Sequence, residues 1–252
     1  MALVLAVGAS AASLGVSAMT SALASDQAPQ YALPEGPKGG IATLTEEHFF
    51  VDGSPGSARV FTFSNGPRFL YFIPMIHEGE PGFYEDVAKE VKQLKARGAD
   101  LYYEFIDFNA ATDADKRRIR AMLGFLPTPE FYAENVSDGM VAQNNSMFLG
   151  FPGGQDVNVD VTPKELADTY EEMIGPLQIS EEILTAPMDS FVMPTADATQ
   201  ITRVTIEWRN QRLAQAINDA KGDIVVLYGA AHGAGTLRNL QALDPRWRRL
   251  EP

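Results

Sequence analysis

The chain offers three imidazoles, His48, His77 and His232, and no cysteine. Thiolate metal sites and disulfides are therefore out of reach, and any transition metal must be held by His, Asp and Glu. His232 belongs to Asp223-Ile-Val-Val-Leu-Tyr-Gly-Ala-Ala-His232-Gly-Ala-Gly235, which reads as a buried strand entering a glycine-rich turn. In an open α/β sheet such a turn marks the carboxyl edge, where strand-to-helix loops converge on ligands. His77 follows a second apolar strand, and Glu104 lies within a third. Two imidazoles and a carboxylate are a common ligand set for zinc, manganese or iron, with positions left open for water or substrate. Arg209, on a late helix, is suited either to clamp an anionic group or to orient Glu104. His48, flanked by Phe49 and Phe50, reads as a half-exposed strand histidine.

The elements that must position these groups follow from apolar spacing and turn residues. His48 to Val51 and Arg59 to Phe63 read as two strands joined by a hairpin loop at Asp52-Gly-Ser-Pro-Gly-Ser. Phe69 to Ile73 is an apolar strand that Pro74 should end, because proline cannot donate to a ladder. Phe83, Val87, Val91 and Leu94 keep helical spacing up to Gly98, and Leu101 to Ile106 follows as a strand. Strand, helix and strand in this order make a βαβ unit with parallel strands, which brings His77 and Glu104 to one edge. Thr112 to Leu123 and Pro163 to about Met173 read as capped helices. Residues 136–160 form a long irregular stretch, and a loop of that length is usually functional or mobile. The longest late helix runs from about Ala198 to Ala220, with Arg209 and Asn210 near the margin of its apolar stripe. A helix from Thr236 to about Leu243 and an edge strand within Arg246 to Leu250 complete the chain.

Composition narrows the choices. Twenty Lys and Arg against 33 Asp and Glu give a formal charge of -13 over 252 residues, which repels nucleic acid and anionic membrane surfaces alike. Residues 1–24 carry no charged side chain and resemble an export signal with Ala22-Leu23-Ala24 at the cleavage site, or else an N-terminal anchor. Residues 25–40 are rich in Pro and Gly and read as a linker, leaving 41–252 as one domain. Several motifs fail. Pro81 stands where a zincin would place its second histidine, Gly229, Gly233 and Gly235 do not complete a dinucleotide fingerprint, and Ser146 and Ser190 lack a nucleophile elbow.

Taken together, Phe72-Ile-Pro-Met-Ile-His77, Tyr103-Glu104, Glu207-Trp-Arg-Asn210 and Gly229-Ala-Ala-His232 resemble the TraB/PrgY/GumN family, with the Tiki proteases as animal relatives. Erythromycin esterases and ChaN-type haem-binding lipoproteins are more distant. The resemblance spans about residues 68–242 and departs at Pro74, where the family has glycine. It implies an α/β fold, a central mixed β-sheet containing βαβ units and flanked by helices on both faces. It also implies a site of His77, Glu104, Arg209 and His232, with Asn210 and Gly229 beside the substrate. The function it implies is that of an exported metal-dependent hydrolase cleaving a peptide or another amide or ester. In that reading His77, His232 and Glu104 hold manganese, zinc, cobalt or iron, Glu104 doubles as base, and Arg209 stabilises charge. The partner is then a peptide or small-molecule substrate, with membrane contact only through an uncleaved N-terminal segment. The rival expectation is a binding protein that uses the same pocket for haem or a signal peptide.

Overall fold

A computed structural model describes residues 41–250. The export-signal and linker expectations for 1–24 and 25–40 lie outside the described residues. The strands are β1 (Phe61–Ser64), β2 (Phe69–Met75), β3 (Glu78–Gly79), β4 (Asp100–Tyr103), β5 (Val141–Ala142), β6 (Asp156–Asn158), β7 (Ile224–Gly229) and β8 (Arg248–Arg249). Six of them form one sheet in the order β6-β4-β7-β2-β1-β8, and β3 pairs with β5 apart from it. The four strands β6, β4, β7 and β2 are mutually parallel, while β1 and β8 extend the sheet antiparallel. The expected βαβ unit is present, with β7 inserted between its two strands.

Among the described residues the α-helices are α1 (Pro81–Ala96), α2 (Asp113–Leu123), α3 (Pro129–Glu134), α4 (Pro163–Met173), α5 (Glu181–Thr185), α6 (Ala198–Thr202), α7 (Arg209–Asp219) and α8 (Gly233–Leu243). Alternation along β7 explains why helices cover both faces of the sheet. Ile224, Val226 and Tyr228 point to one face and pack with Leu213 and Ile217 of α7 and Leu237 and Leu240 of α8. Val225 and Leu227 point to the other and pack with Phe83, Val87 and Val91 of α1. Each such side chain, removed from water, contributes roughly 1.5–3 kcal/mol before chain entropy is charged against it. A third apolar cluster, built from α2, α3, α4, α5 and α6, continues from the ends of β4 and β6.

Four expectations change. His48 lies in a 3-10 turn, Glu46–Phe49, and is exposed; its Nδ1 accepts from the Thr45 amide at 3.2 Å, completing a capping box. That local cap outcompetes the strand propensity of Phe49 and Phe50. Pro74 does not end β2, which continues to Met75. The β1 ladder stops at Phe61↔Phe72, so beyond it β2 has a sheet neighbour on one side only and tolerates a residue without an N–H. The stretch 136–160 also holds β6, which forms an edge of the sheet. The helix after His232 begins at Gly233, because its glycines serve close packing rather than a turn.

A Cβ on Gly233 would lie 2.6 Å from the ring of Phe49, which is fully buried and cannot swing away. Gly233→Ala should therefore cost about 1–3 kcal/mol of stability. Denaturant titration checks this, and an unchanged midpoint would contradict the packing described.

Candidate functional site

Four neighbouring parallel strands each deliver one polar side chain just past their carboxyl ends. His77 follows β2, Glu104 follows β4, Asp160 follows β6 and His232 follows β7 through a 3-10 turn, Ala230–His232. Pairing of Glu78 with Ala142, and a hydrogen bond from the Gln143 amide to the His77 carbonyl at 2.9 Å, fix the backbone at His77.

The fifth group comes from a helix. α6, a π-helical stretch Arg203–Trp208 and α7 run on without leaving the right-handed helical region. The buried residues step by five across the π stretch, from Val204 to Arg209 and from Thr205 to Asn210. Only a wider turn keeps such a step on one face, and π stretches of this kind recur at functional sites. Arg209 and Asn210 are accordingly 3% and 4% exposed, deep inside rather than at the margin of a solvated face.

Arg209 joins the strand ends. Its Nε donates to Asp160 Oδ1 at 2.9 Å, and its Nη2 donates to Asp160 Oδ2 at 2.6 Å and to Glu104 Oε1 at 2.7 Å. Nη1 donates to the Thr205 carbonyl at 3.2 Å and lies 3.5 Å from His232 Nε2. All five guanidinium N–H groups thus face protein acceptors. Arg209 orients Glu104 and has no donor left to clamp a substrate carboxylate. Asp160 also accepts from the Tyr228 hydroxyl at 2.9 Å and the Val161 amide at 2.8 Å. Two carboxylates against one guanidinium leave one net negative charge.

His232 is held from behind. Its Nδ1 lies 2.7 Å from Asn210 Oδ1, which also accepts from the Thr236 hydroxyl at 3.3 Å. An amide oxygen has no proton, so Nδ1 carries one and the Nε2 lone pair faces Arg209 and Glu104. Gly235 permits this contact, since a Cβ there would lie 2.1 Å from Asn210 Nδ2. The Gly229 amide donates to Glu104 Oε2 at 2.6 Å. Gly229 and Asn210, expected beside the substrate, are placed against Glu104 and His232 respectively. The ring of His77 stacks on Tyr132 at 4.6 Å and 9°, and no described residue hydrogen-bonds its nitrogens.

Burial, reinforced by the Arg209 charge, pushes the His232 imidazole well below its usual range, and burial lowers His77 as well. Both are neutral near pH 7. Burial alone would raise Glu104, but Arg209 and the Gly229 N–H outweigh it and keep the carboxyl ionised. Burial raises the Tyr132 phenol far above its usual range, so it keeps its proton.

Above this group opens a cavity of about 570 Å³, walled by Tyr103, Phe105, Ile106, Tyr132 and Leu149 on its apolar sides. His77, Glu104, Asp160 and Arg209 line its base, and Gln143, Asn144 and Asn145 supply neutral polar groups. A smaller void of about 30 Å³ shares His77, Glu104 and Arg209 with it and is also lined by Gly229 and His232. That is room for a water or a metal ion. The donor set fits a divalent cation in kind: two neutral imidazoles, one anchored through its far nitrogen, and an ionised carboxylate. Arg209 competes with any such ion for Glu104, and among the described residues no three His, Asp or Glu side chains form a ready metal cluster.

The architecture defines a mixed α/β protein with its polar centre at the carboxyl edge of the sheet. Comparison with family models, with curated proteins and with solved structures finds no match for this chain. Sequence reasoning missed Asp160, Tyr132 and Tyr228 as members of the site. The polar-apolar alternation of Asp156-Val-Asn-Val-Asp160 is the strand signal that could have brought Asp160 forward.

Two predictions follow from this geometry. Asp160→Asn, at a side chain with 0% exposure, should lower stability by about 3–5 kcal/mol in denaturant titration, because it strips one partner from a buried pair. A loss below about 1 kcal/mol would contradict the arrangement. For the metal-free chain, the unfolded imidazoles take up protons below about their ordinary value of 6.5, whereas the folded ones resist. Stability should therefore fall as pH drops through 6.5, by up to about 1.4 kcal/mol per pH unit for each histidine. A flat profile between pH 7 and 5 would contradict the assigned neutral state.

Proposed function

We propose that the chain is an exported hydrolase of peptide, amide or ester bonds, of the TraB/Tiki type. One observation carries this reading. A water-sized void, lined by two neutral imidazoles and an ionised carboxylate, adjoins a substrate-sized cavity. The uncharged segment 1–24 supports export, and no helix among the described residues is long and apolar enough to cross a membrane.

Within this reading the two histidines are held differently. His232 is locked by Asn210 through Nδ1, whereas no described residue hydrogen-bonds the ring nitrogens of His77, which leaves one of them available to a divalent ion. Arg209 keeps Glu104 ionised and fixed in place, as a ligand or as the base that takes a proton from the attacking water. A divalent ion bound by His77 and His232 with Glu104 would supply Lewis acidity and hydroxide near neutral pH. The net negative charge of the base disfavours anionic substrates, and the apolar walls favour uncharged acyl groups.

The test combines elemental analysis with a panel of neutral and anionic esters and peptides, using chain reconstituted with manganese, zinc, cobalt or iron. Near one equivalent of metal is expected, with hydrolysis of neutral substrates and loss of metal in His77→Ala and His232→Ala. Glu104→Gln should lower kcat/KM by roughly 10²–10⁴-fold. Full activity in His232→Ala would overturn the assignment. Absence of hydrolysis together with a Soret band on adding haem would install the binding-protein reading instead.

A further inference from the structure

The short ribbon of β3 and β5 has one closed edge and one open edge. Glu78 faces Ala142 as a non-hydrogen-bonded pair, because the bonds on either side of it join Gly79 to Val141 and the Gln143 amide to the His77 carbonyl. Backbone groups of successive strand residues point to opposite sides, so the N–H and C=O of Ala142 point away from β3. Asn144 is also extended, at φ -123° and ψ 107°, and alternation puts its N–H on the same side. Among the described residues none of these three groups has a hydrogen-bond partner. The far edge of β3 is covered by a loop. There the Glu80 amide donates to the Gly53 carbonyl at 2.8 Å, and a Cβ on Gly79 would lie 3.2 Å from that same oxygen.

The open edge borders the candidate site. Ala142, Gln143 and Asn144 line the large cavity, as do Tyr132 and Ala133 of α3, which packs against β5. The segment is tied to two strand ends, by the Gln143 amide on the His77 carbonyl at 2.9 Å and by Asn145 Nδ2 on the Glu104 carbonyl at 3.0 Å. Ala142 is only partly exposed, and backbone groups withdrawn from water are ordinarily paired. A donor, an acceptor and a second donor in line, at the period of a strand, match the backbone of an extended chain. A compact ester or amide has no such repeat.

We propose, resting on the hydrolase reading above, that the substrate is a peptide bound in extended conformation as a third strand on the open edge of β5. The Ala142 and Asn144 N–H groups donate to peptide carbonyls, and the Ala142 carbonyl accepts one peptide N–H. Main-chain bonds of this kind hold a strand whatever its sequence, and its alternate side chains supply selectivity. Those turned into the cavity meet Tyr103, Phe105, Ile106 and Leu149, so apolar residues are favoured at every second position. An edge this short is a poor template for pairing with a second copy of the chain.

The test uses the full chain reconstituted with metal, a small neutral ester, and a library of short uncharged peptides with apolar residues at alternate positions. The best-hydrolysed peptide is then N-methylated at each amide in turn, the scissile one excepted. Methylation at one amide should lower kcat/KM by roughly tenfold or more, the scale of one lost hydrogen bond. The amides beside it face the other way and should matter far less. Ala142→Pro deletes one donor at an edge position that tolerates proline, and should lower the peptide-to-ester ratio of kcat/KM by a similar factor. If that variant does not fold, the methylation series decides alone. Methylation that nowhere changes kcat/KM by more than about twofold, a folded Ala142→Pro with an unchanged ratio, or hydrolysis of the ester without any peptide would overturn strand addition and leave the hydrolase reading in place. No hydrolysis of any ester or peptide would overturn both.

Discussion

The buried ion triad of Glu104, Arg209 and Asp160 is the constraint on which the rest of the site depends. Taking these charges out of water is costly, and the cost is offset only where geometry satisfies every donor and acceptor. Here Arg209 meets Asp160 through two nitrogens, Glu104 through one, and the Thr205 carbonyl and His232 through the last. Such saturation requires β4 and β6 to end at the same level and the helix above them to present Arg209 inward. The parallel register of Leu101↔Asp156 through Tyr103↔Asn158 meets the first requirement, and the π stretch before Arg209 meets the second.

From the triad the electrostatics of the cavity follow. A fixed guanidinium keeps Glu104 ionised, and its charge, with burial, keeps His232 neutral. The polar groups therefore stand in their working protonation states before substrate arrives, which is the preorganisation that lowers a barrier in a dry site. Glycines make the closeness possible. Gly229 lets its amide approach Glu104, and Gly235 lets α8 approach Asn210, so His232 is anchored through backbone proximity as much as by its own bond.

The strands β2, β4 and β7 were legible in the sequence as apolar runs, although β2 continues past Pro74 to Met75 and β4 stops at Tyr103, short of the expected Ile106. The βαβ order placed His77 and Glu104 at one edge, and the glycine turn after β7 placed His232 at a carboxyl edge. Asp160 was hidden because its strand has three residues and sits within a stretch otherwise rich in glycine and turns. The depth of Arg209 was hidden for a different reason. Helical periodicity assumes 3.6 residues per turn, and the π stretch inserts a five-residue step that displaces everything after it. His48 misled because aromatic neighbours signal a strand, whereas a side-chain cap decided the local conformation. Pro74 misled because a strand is terminated by proline only where both of its edges are paired.

The central physical claim is that the triad presents His232 as a neutral imidazole protonated on Nδ1, with its Nε2 lone pair turned toward Glu104. Nitrogen-15 NMR of the histidine side chains in the metal-free chain tests this most directly. The account predicts one resonance pair with Nδ1 protonated and Nε2 bare, unchanged as pH is lowered from 7 to 5. A proton on Nε2, or an imidazolium already formed between pH 7 and 6, would contradict it.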